Sequence, residues 1–311
     1  MADHEQYVII GAGVVGLTTA LELKRQRPAC EVIITAKDLP GDSSPTYASA
    51  WAGANWISCA TDNGCEEQWD KDTYQMFEKI VLSHPEAGIE NMSIRSIYDD
   101  EIEKVGILSD FTGKIWYDKL VGGLHYLAQE ELPDGAKFGF DAQTFVINVQ
   151  VYLPWLQQEA TRQGVEIRRG LINDIADVKS SFPHARAVFN CTGLGSLHLG
   201  GVKDSKLYPS KVLLVENPSD GIHRMYYRSS RRLGSHNTYV FPRGKHGGVI
   251  LGGCRLNDNW DPTFDPALGE SIKQKCCSLA PELGKPDDLR VLQQGVGFRR
   301  ESSYHELRIP F

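Results

Sequence analysis

The sequence predicts an α/β fold in which a parallel-sheet unit is interleaved with an antiparallel sheet. Three observations support this prediction. Residues 7–38 read as strand, glycine turn, helix and strand, which is the order of a βαβ unit. A second helix-to-strand transition occurs at 160–175, with Gly164 as the helix stop. Between 211 and 253, short apolar runs alternate with Pro, Gly, Asn and Ser, which is typical of an antiparallel meander.

Length and charge limit the classes of function. The chain has 311 residues, enough for two packed units, and its formal net charge is -7. This charge argues against a nucleic acid or an anionic membrane as partner. We find neither an apolar run of about 18 residues nor a basic and apolar secretory leader. The cysteines number seven and form no Cys-x-x-Cys pair, which predicts reduced thiols in an intracellular protein.

A glycine-rich turn follows the first predicted strand. Gly11, Gly13 and Gly16 form the pattern G-x-G-x-x-G directly after the apolar run 7–10. The first glycine permits a tight turn, the second lets a pyrophosphate approach the backbone, and the third lets helix and strand pack closely. Free N–H groups and the dipole at the helix start favour phosphate. The sequence therefore predicts a dinucleotide site, against the alternative of a glycine turn without a ligand.

The turn alone leaves the dinucleotide open, because NAD and FAD share this pattern. A ribose-binding acid is expected roughly 20 residues further on, and Asp38 lies 22 positions after Gly16. The alternative is a solvated loop acid. Gly193 and Gly195 follow the run HARAVFN, which we expect to be a buried strand. The segment after them contains a proline and is too short for a crossover helix, so a second complete nucleotide fold is disfavoured.

A later helix is predicted from 265 to about 280. Asp265 is its expected N-cap, Pro266 its first residue, and Pro281 lies near its stop. Cys276 and Cys277 lie on its apolar face and are expected to be buried thiols. No H-E-x-x-H, no Cys/His cluster at metal spacing and no G-x-S-x-G occurs in the sequence. We therefore expect no metal site and no nucleophilic hydrolase.

The stretch GDSSPTYASAWAGANW (41–56) is rich in small residues, which let a flat ring system lie against the backbone. Together with the glycine turn it resembles the D-amino-acid oxidase family of flavoproteins, which includes the D-aspartate oxidases. Further segments resemble family motifs in consistent order along nearly the whole chain: YLPWLQQEATRQGVEI, VFNCTGLGS, TYVFPRG, GGVILGG, NDNW and GVGFR. The resemblance implies noncovalent FAD, held by a Rossmann-like domain that is interleaved with an antiparallel-sheet substrate domain.

The resemblance also implies which residues contact FAD. The glycine turn should hold the pyrophosphate, and the end of the second strand should lie near the adenosine. Residues 51–55, called the WAGAN segment, should pass close to the isoalloxazine ring. Two residues from later strands should line the cofactor. The expected residues are Gly11, Ala12, Gly13, Val14, Val15, Gly16, Lys37, Asp38, Ala52, Gly53, Ala54, Asn55, Ile172 and Thr192.

Two residues are expected to bind the substrate α-carboxylate. Arg299 matches the family arginine, and a guanidinium offers a carboxylate two parallel donors; Arg300 is a weaker candidate. Tyr239 matches a family tyrosine whose hydroxyl contacts the same group. The alternatives are a solvated arginine and a tyrosine packed in a sheet. Tyr226 or Tyr227 could supply a further aromatic contact, and the sequence does not choose between them.

Arg255 bears on substrate choice. It follows the GGVILGG strand, at a place where this chain resembles D-aspartate oxidases. An acidic substrate brings a second carboxylate, and burying that group without a partner is costly. If the strand is regular, Val249, Leu251, Gly253 and Arg255 share a face. The alternative is an edge arginine that faces water.

The resemblance implies oxidative deamination of D-amino acids with dioxygen as acceptor, giving a 2-oxo acid, ammonia and hydrogen peroxide. Acidic substrates, D-aspartate and D-glutamate, are favoured. The alternatives are a general D-amino-acid oxidase for neutral substrates and a truncated, cofactor-poor form with weak or no activity. A nicotinamide-linked dehydrogenase and a flavin dehydrogenase without oxygen reactivity are further rivals.

The chain departs from the family pattern in two places. It has YPSK where the family has Arg-Gly-Gln, and it stops at Phe311 without the family's His-x-Tyr-Gly loop, final helix and C-terminal peroxisomal tripeptide. Peroxisomal location is therefore implied by analogy only. We expect a discontinuous FAD-binding domain at 1–60, 140–200 and 285–311, and a substrate-binding domain at 61–139 and 201–284.

Overall fold

The computed structural model describes residues 5–58, 60, 64–105, 112–201, 206–215, 221–229, 237–244, 247–254 and 261–301, and at 206–213 and 299–301 it describes the backbone alone. Within these residues, twelve strands form two sheets. The strands are β1 (Gln6–Ile10), β2 (Glu31–Ala36), β3 (Ile89–Tyr98), β4 (His125–Tyr126), β5 (Phe138–Ile147), β6 (Glu166–Arg169), β7 (Ala185–Asn190), β8 (Lys206–Val215), β9 (Arg224–Ser229), β10 (Thr238–Pro242), β11 (Val249–Gly252) and β12 (Val291–Glu301).

The described α-helices connect and cover these sheets. They are α1 (Val14–Gln26), α2 (Ala48–Trp51), α3 (Cys65–Ser83), α4 (Val149–Arg162), α5 (Ile175–Ser181) and α6 (Pro266–Leu279). Short 3-10 turns occur at Pro85–Ala87, Ile102–Lys104, Gln129–Glu131, Gly193–Leu197, Pro281–Leu283 and Pro286–Asp288. Among these described helices, none is long and apolar enough to cross a membrane.

The smaller sheet is parallel and has the strand order β6-β2-β1-β7. Its central strands are apolar because both faces are covered. Ile9 packs in the main core with Leu17 of α1 and Leu156 of α4, whereas Val8 packs with Val178 of α5 on the other face. The predicted order of strand, turn, helix and strand in 7–38 is confirmed.

Strand β7 differs from the expected buried strand. Its residues alternate between half-buried and exposed, because β7 lies at an edge of the described sheet and one of its faces meets solvent. Ala187 and Phe189 pack against the main core, and Val188 between them is 37% exposed. The prediction of full burial was wrong, since a run of apolar letters does not reveal an edge position.

The larger sheet has eight strands in the order β12-β8-β11-β10-β9-β3-β5-β4. Strands β9, β10, β11 and β8 pair antiparallel in succession, so the predicted meander is confirmed. Strands β3 and β9 pair in parallel, and the remaining pairs are antiparallel.

Helix α6 covers one face of the meander. It starts as predicted, with Asp265 accepting a hydrogen bond from the Ala267 N–H at 2.9 Å and Pro266 in the first turn. The Cys276 side chain is fully buried, and its thiol donates to backbone carbonyls of β10 and β11. Burial raises the pKa of the Cys276 thiol. Cys277 is only partly buried, because it lies one residue away from the packed face of α6.

The pairing of β12 cuts across the expected grouping of segments. We expected 285–311 to accompany the nucleotide-binding segments, but β12 pairs along its length with β8 at the edge of the larger sheet. Strand β5 overlaps the start of the expected segment 140–200 and belongs to the same sheet. The reason is that an extended strand satisfies its backbone donors and acceptors only beside a partner strand. The boundaries of the two domains stay a prediction.

Replacing Phe145 by alanine should destabilise the fold strongly. The Phe145 ring is 1% exposed and contacts the rings of Tyr74 and Phe77. Removing it leaves a cavity, and we expect a loss of about 3–5 kcal/mol in the free energy of unfolding, measured by urea denaturation. Leu82→Ala is the control, because Leu82 is 85% exposed and should change stability by less than about 0.5 kcal/mol. Equal losses in the two variants would contradict the core assignment.

Candidate active site

Two glycines of the turn are required by backbone packing. Gly11 has φ of 111°, a left-handed conformation that side chains disfavour. A β-carbon at Gly11 would overlap the carbonyl oxygen of Cys191, and one at Gly16 would overlap the carbonyl oxygen of Gly11. Helix α1 therefore starts in contact with β1 and with the end of β7. This is the close approach of helix and strand that the third glycine of the pattern allows.

The start of α1 presents backbone donors to an open surface. Gly13 occupies the N-cap and offers no side chain, and the first turn of α1 carries no acid. Val14 and Val15 are exposed, and the Val14 N–H donates to the Ser49 hydroxyl at 3.1 Å. With the positive end of the helix dipole, this arrangement suits an anionic phosphate.

The two cofactor candidates from later segments lie beside the turn. The Thr192 backbone is in direct contact with Gly11, since its Cα lies 3.2 Å from the position of an added Gly11 β-carbon. Ile172 is half-buried and packs against the cluster that contains Val8 and Ile10 of β1. The fold thus brings both segments to the carboxyl end of β1, where ligands bind in open α/β sheets.

The loop after β2 is fixed by a salt bridge. Arg169 at the end of β6 pairs with Asp42 at 2.7 Å and donates to the Lys37 carbonyl at 2.9 Å. The hydrogen bond from Arg169 lowers the pKa of Asp42. Asp38 is half-buried on this loop, and in the described part of the chain no hydrogen bond occupies its carboxylate. Lys37 is exposed, so only its backbone takes part in the local structure.

The WAGAN segment is held against the larger sheet. The Ala54 N–H donates to the Ile147 carbonyl at 3.1 Å, and the Ile147 N–H donates back to the Ala54 carbonyl at 2.9 Å. Gly53 lies under the Phe241 ring, because an added β-carbon would sit 2.9 Å from Phe241 Cδ2. The segment therefore continues the edge of β5 and reaches β10.

Two buried polar atoms lack a hydrogen-bond partner within the described residues, namely Thr35 Oγ1 and Asn55 Nδ2. Thr35 lies next to the glycine turn, and its carbonyl accepts a hydrogen bond from the Gly11 N–H at 2.9 Å. Asn55 pairs with Val146 through its backbone. Buried polar groups are normally satisfied. Both atoms are therefore available for a hydrogen bond to a bound molecule.

Tyr239 and Phe241 form an aromatic wall on β10. Their rings stack with centroids 4.8 Å apart, and both face the main core, whereas Val240 between them packs beneath α6. Gly252 and Gly253 leave room for the Tyr239 ring, which an added β-carbon at either position would strike. The GGVILGG pattern thus has a local physical reason, because the paired strand must stay bare where the tyrosine ring lies.

The choice between the two neighbouring tyrosines is decided by strand register. Tyr227 pairs with Tyr239 across the sheet and so shares its face. The Tyr226 hydroxyl instead donates to the carboxylate of Glu282, which follows α6. Burial and, after it, this hydrogen bond raise the pKa of Tyr226. Tyr227 is therefore the tyrosine on the Tyr239 side of the sheet.

The two arginine candidates fall at the limits of the described residues. The backbone of Arg299, in β12, pairs with the backbone of Tyr208 in β8. Arg255 and the NDNW turn lie outside the described residues. Strand β11 ends at Gly252, and Leu251 packs on the α6 face. The expected regular strand up to Arg255 therefore stays a prediction.

The sequence reasoning missed Arg243. The residue lines an open cleft between the loop after β2 and the larger sheet, together with Asp42, Trp51, Gln150, Leu214 and Gly295. The signal was available, because Arg243 follows Tyr239 and Phe241 at alternating positions. Tyr47 was missed as well. Its buried hydroxyl donates to the Ala12 carbonyl at 2.8 Å and fixes the turn.

Comparison with known proteins identifies the family. Residues 6–309 match the family model described as FAD dependent oxidoreductase. The chain belongs to this family of FAD-dependent oxidoreductases. The predicted cofactor, FAD, and the predicted class of enzyme are thereby confirmed, and the nicotinamide-linked alternative is excluded.

Curated relatives cover most of the chain. It is 36% identical over 299 residues to a D-amino-acid oxidase of Schizosaccharomyces pombe, spanning 94% of this chain and 82% of that protein. It is 30% identical over 305 residues to a D-aspartate oxidase of Homo sapiens, spanning 96% of this chain and 81% of that protein. The family resemblance in the sequence motifs is confirmed.

Solved structures share the fold at low identity. An L-alpha-glycerophosphate oxidase from Mycoplasma pneumoniae with FAD bound has a TM-score of 0.66 and 13% identity, covering 97% of this chain and 85% of that chain. An L-amino acid deaminase from Proteus vulgaris has a TM-score of 0.65 and 11% identity, covering 96% and 84%. The predicted α/β architecture is confirmed by these neighbours.

The residues present fit FAD. The start of α1, whose N-cap glycine has no side chain, offers backbone donors to a diphosphate, and the half-buried Asp38 follows β2. Asn55 Nδ2 is a buried donor that finds no acceptor among the described residues, and the adjoining Ala52, Gly53 and Ala54 carry small side chains or none. The glycine turn, Asp38 and the WAGAN segment would hold the cofactor, which supplies an electron acceptor to the site.

Replacing Gly13 by leucine should reduce FAD retention while the fold persists. A β-carbon at Gly13 would lie 2.9 Å from the Ser49 hydroxyl, a small side chain that can turn away, so the larger side chain is expected to project over the phosphate site. We expect at least a tenfold weaker Kd for FAD, measured by titration of the apoprotein. Ser49→Ala is the control, because it alters the same contact without adding bulk. Normal FAD affinity in Gly13→Leu would contradict the site.

Proposed function

We propose that the protein is a D-amino-acid oxidase that uses FAD and dioxygen to convert D-amino acids into 2-oxo acids, ammonia and hydrogen peroxide. Relatives named D-amino-acid oxidase and D-aspartate oxidase cover more than nine-tenths of the chain. The observation in the structure that carries the proposal is the aromatic wall of Tyr239 and Phe241, which stands directly against Gly53 of the WAGAN segment. A small amine bound there would lie next to the expected place of the flavin ring.

In this proposal the residues act mainly by orientation. Arg299 binds the α-carboxylate through two parallel donors, and the Tyr239 hydroxyl contacts the same carboxylate. Phe241 and the Tyr239 ring exclude water on one side of the substrate. Holding the reacting carbon in one geometry replaces a bimolecular encounter by an oriented complex. Bound FAD would supply the electron acceptor that oxidation of an amine requires.

We further propose a preference for acidic substrates, D-aspartate and D-glutamate, with Arg255 as the partner of the second carboxylate. The charge of the whole chain is -7, so its overall field does not attract a dicarboxylate. A local cation is therefore needed beside the α-carboxylate site. A general D-amino-acid oxidase for neutral substrates is the second candidate. It is supported by the two fungal relatives, which carry the general name D-amino-acid oxidase.

The proposal also covers the partners, the domains and the location of the protein. The partners are a small D-amino acid and dioxygen, without a nucleic acid or a membrane. The proposal includes an FAD-binding domain at 1–60, 140–200 and 285–311 and a substrate-binding domain at 61–139 and 201–284. It also includes an intracellular, peroxisomal location by analogy with the family.

Replacing Tyr239 by phenylalanine should raise the KM for D-amino acids roughly ten- to a hundredfold, since a hydrogen bond to a charged group contributes about 1.5–3 kcal/mol. Oxygen consumption with D-aspartate and D-alanine measures the effect. Tyr226→Phe is the matched control, because it removes a tyrosine hydroxyl from the opposite face of the sheet. Absence of any D-amino-acid oxidation in the wild-type FAD complex would overturn the proposed function.

Replacing Arg255 by methionine should cost acidic substrates roughly 2–5 kcal/mol in transition-state stabilisation, the usual penalty for leaving one partner of a desolvated charge pair alone. The kcat/KM for D-alanine should change little or improve. The comparison needs both substrates in wild type and variant. Equal losses on the two substrates would make Arg255 a structural residue and favour the general oxidase.

A further inference from the structure

Arg243 is a buried charged side chain to which the proposed function assigns no role. It follows β10, is 3% exposed and lines the cleft between the loop after β2 and the larger sheet. Its Nε donates to the Gly53 carbonyl at 2.9 Å, and its Nη2 donates to the Ala52 carbonyl at 2.7 Å. Arginine is rarely so deeply buried unless a specific interaction requires it. The burial of Arg243 therefore has a structural or functional cause.

The two carbonyls belong to the part of the WAGAN segment that β5 does not hold. From Ala54 onward the backbone pairs with β5, first with Ile147 and then through the Trp56 N–H to the Phe145 carbonyl at 3.1 Å. The carbonyls of residues 52 and 53 precede this ladder. Arg243 supplies a donor to each of them from the other side, so it completes the backbone bonding of the segment that is expected to meet the flavin.

Arginine suits the bonding of these two carbonyls better than any other cationic side chain. A guanidinium carries several donors in one rigid plane, so two of them can meet two consecutive carbonyls at once. An ammonium group is a single point with strong hydration. A neutral amide offers only one donor nitrogen. Two carbonyls from neighbouring residues thus match the arginine fork.

The positive charge of Arg243 is not neutralised by any carboxylate of the described residues. Within the described residues no Asp or Glu forms an ion pair with it, and burial lowers its pKa to about 10. Two neutral carbonyls do not compensate a full positive charge in a desolvated site. An anionic cofactor bound next to Ala52 and Gly53 would do so, and FAD carries a diphosphate and accepts negative charge on its ring when reduced.

We propose that Arg243 is a positioning residue of the flavin site, which fixes the carbonyls of Ala52 and Gly53 and places a positive charge next to the segment that is expected to meet the cofactor. This inference rests on the proposed placement of FAD beside the WAGAN segment. Arg243 orients the backbone and the field around the cofactor and takes no part in binding the substrate carboxylate.

The test compares FAD binding by the apoproteins of wild type, Arg243→Met and Arg243→Lys. We expect the Kd for FAD to rise at least tenfold in Arg243→Met. Arg243→Lys should recover part of this loss, because it keeps the charge and one donor. The visible circular dichroism of bound flavin should change in the methionine variant, which reports the surroundings of the ring rather than overall stability. Urea denaturation of each apoprotein records folding separately.

Arg228→Met is the matched control. Arg228 lies on β9 of the same sheet, pairs with the buried Asp99 and donates to the Asp134 carbonyl at 2.8 Å. Its loss should lower stability without changing the Kd for FAD. A Kd within twofold of wild type in Arg243→Met, or an equal weakening in Arg228→Met, would overturn the inference while leaving the proposed function intact. Failure of the wild-type apoprotein to bind FAD would overturn both. If Arg243→Met does not fold, Arg243→Lys decides: unchanged affinity together with an unchanged flavin spectrum would overturn the inference.

Discussion

Two backbone hydrogen bonds between Ala54 and Ile147 join the segment that follows β2 to the larger sheet. The rest of the site depends on this junction. On one side it brings the WAGAN segment against β10. On the other side, the chain leaves Ile147 directly into α4, whose N-cap Asn148 accepts from the Gln150 N–H at 3.1 Å. Helix α4 then packs on α1, so the same junction sets where the glycine turn lies relative to the larger sheet.

Glycine is used here mainly for space. At Gly11 and Gly16 the protein's own backbone fills the volume of a β-carbon, and at Gly53 and Gly252 an aromatic ring does so. The glycine turn and the aromatic wall of Tyr239 and Phe241 therefore depend on the same kind of packing, a bare backbone beside a bulky group. Gly16 and Gly252 are themselves buried, so these contacts are close-packed.

Electrostatics acts locally in this molecule. The chain as a whole is acidic, and the described ion pairs, such as Arg95 with Asp141, neutralise arginines on the larger sheet. Arg243 differs from these arginines, since its described bonds go to carbonyls. A buried cation that the described protein leaves uncompensated favours an anionic group in its neighbourhood.

The sequence by itself determined the elements that follow from local rules. The glycine spacing after β1, the N-cap Asp265 and the alternation of the meander each depend on residues near in sequence, so they could be predicted. Motif order also indicated FAD. Tertiary structure alone decided that β7 has an exposed face, that β12 pairs with β8, and that Tyr227 rather than Tyr226 shares the Tyr239 face. It also brought Arg243 to Ala52 and Gly53, some 190 residues apart in sequence. Such pairings depend on the packing of segments that are distant in sequence, and the periodicity of a short stretch of sequence does not encode this packing.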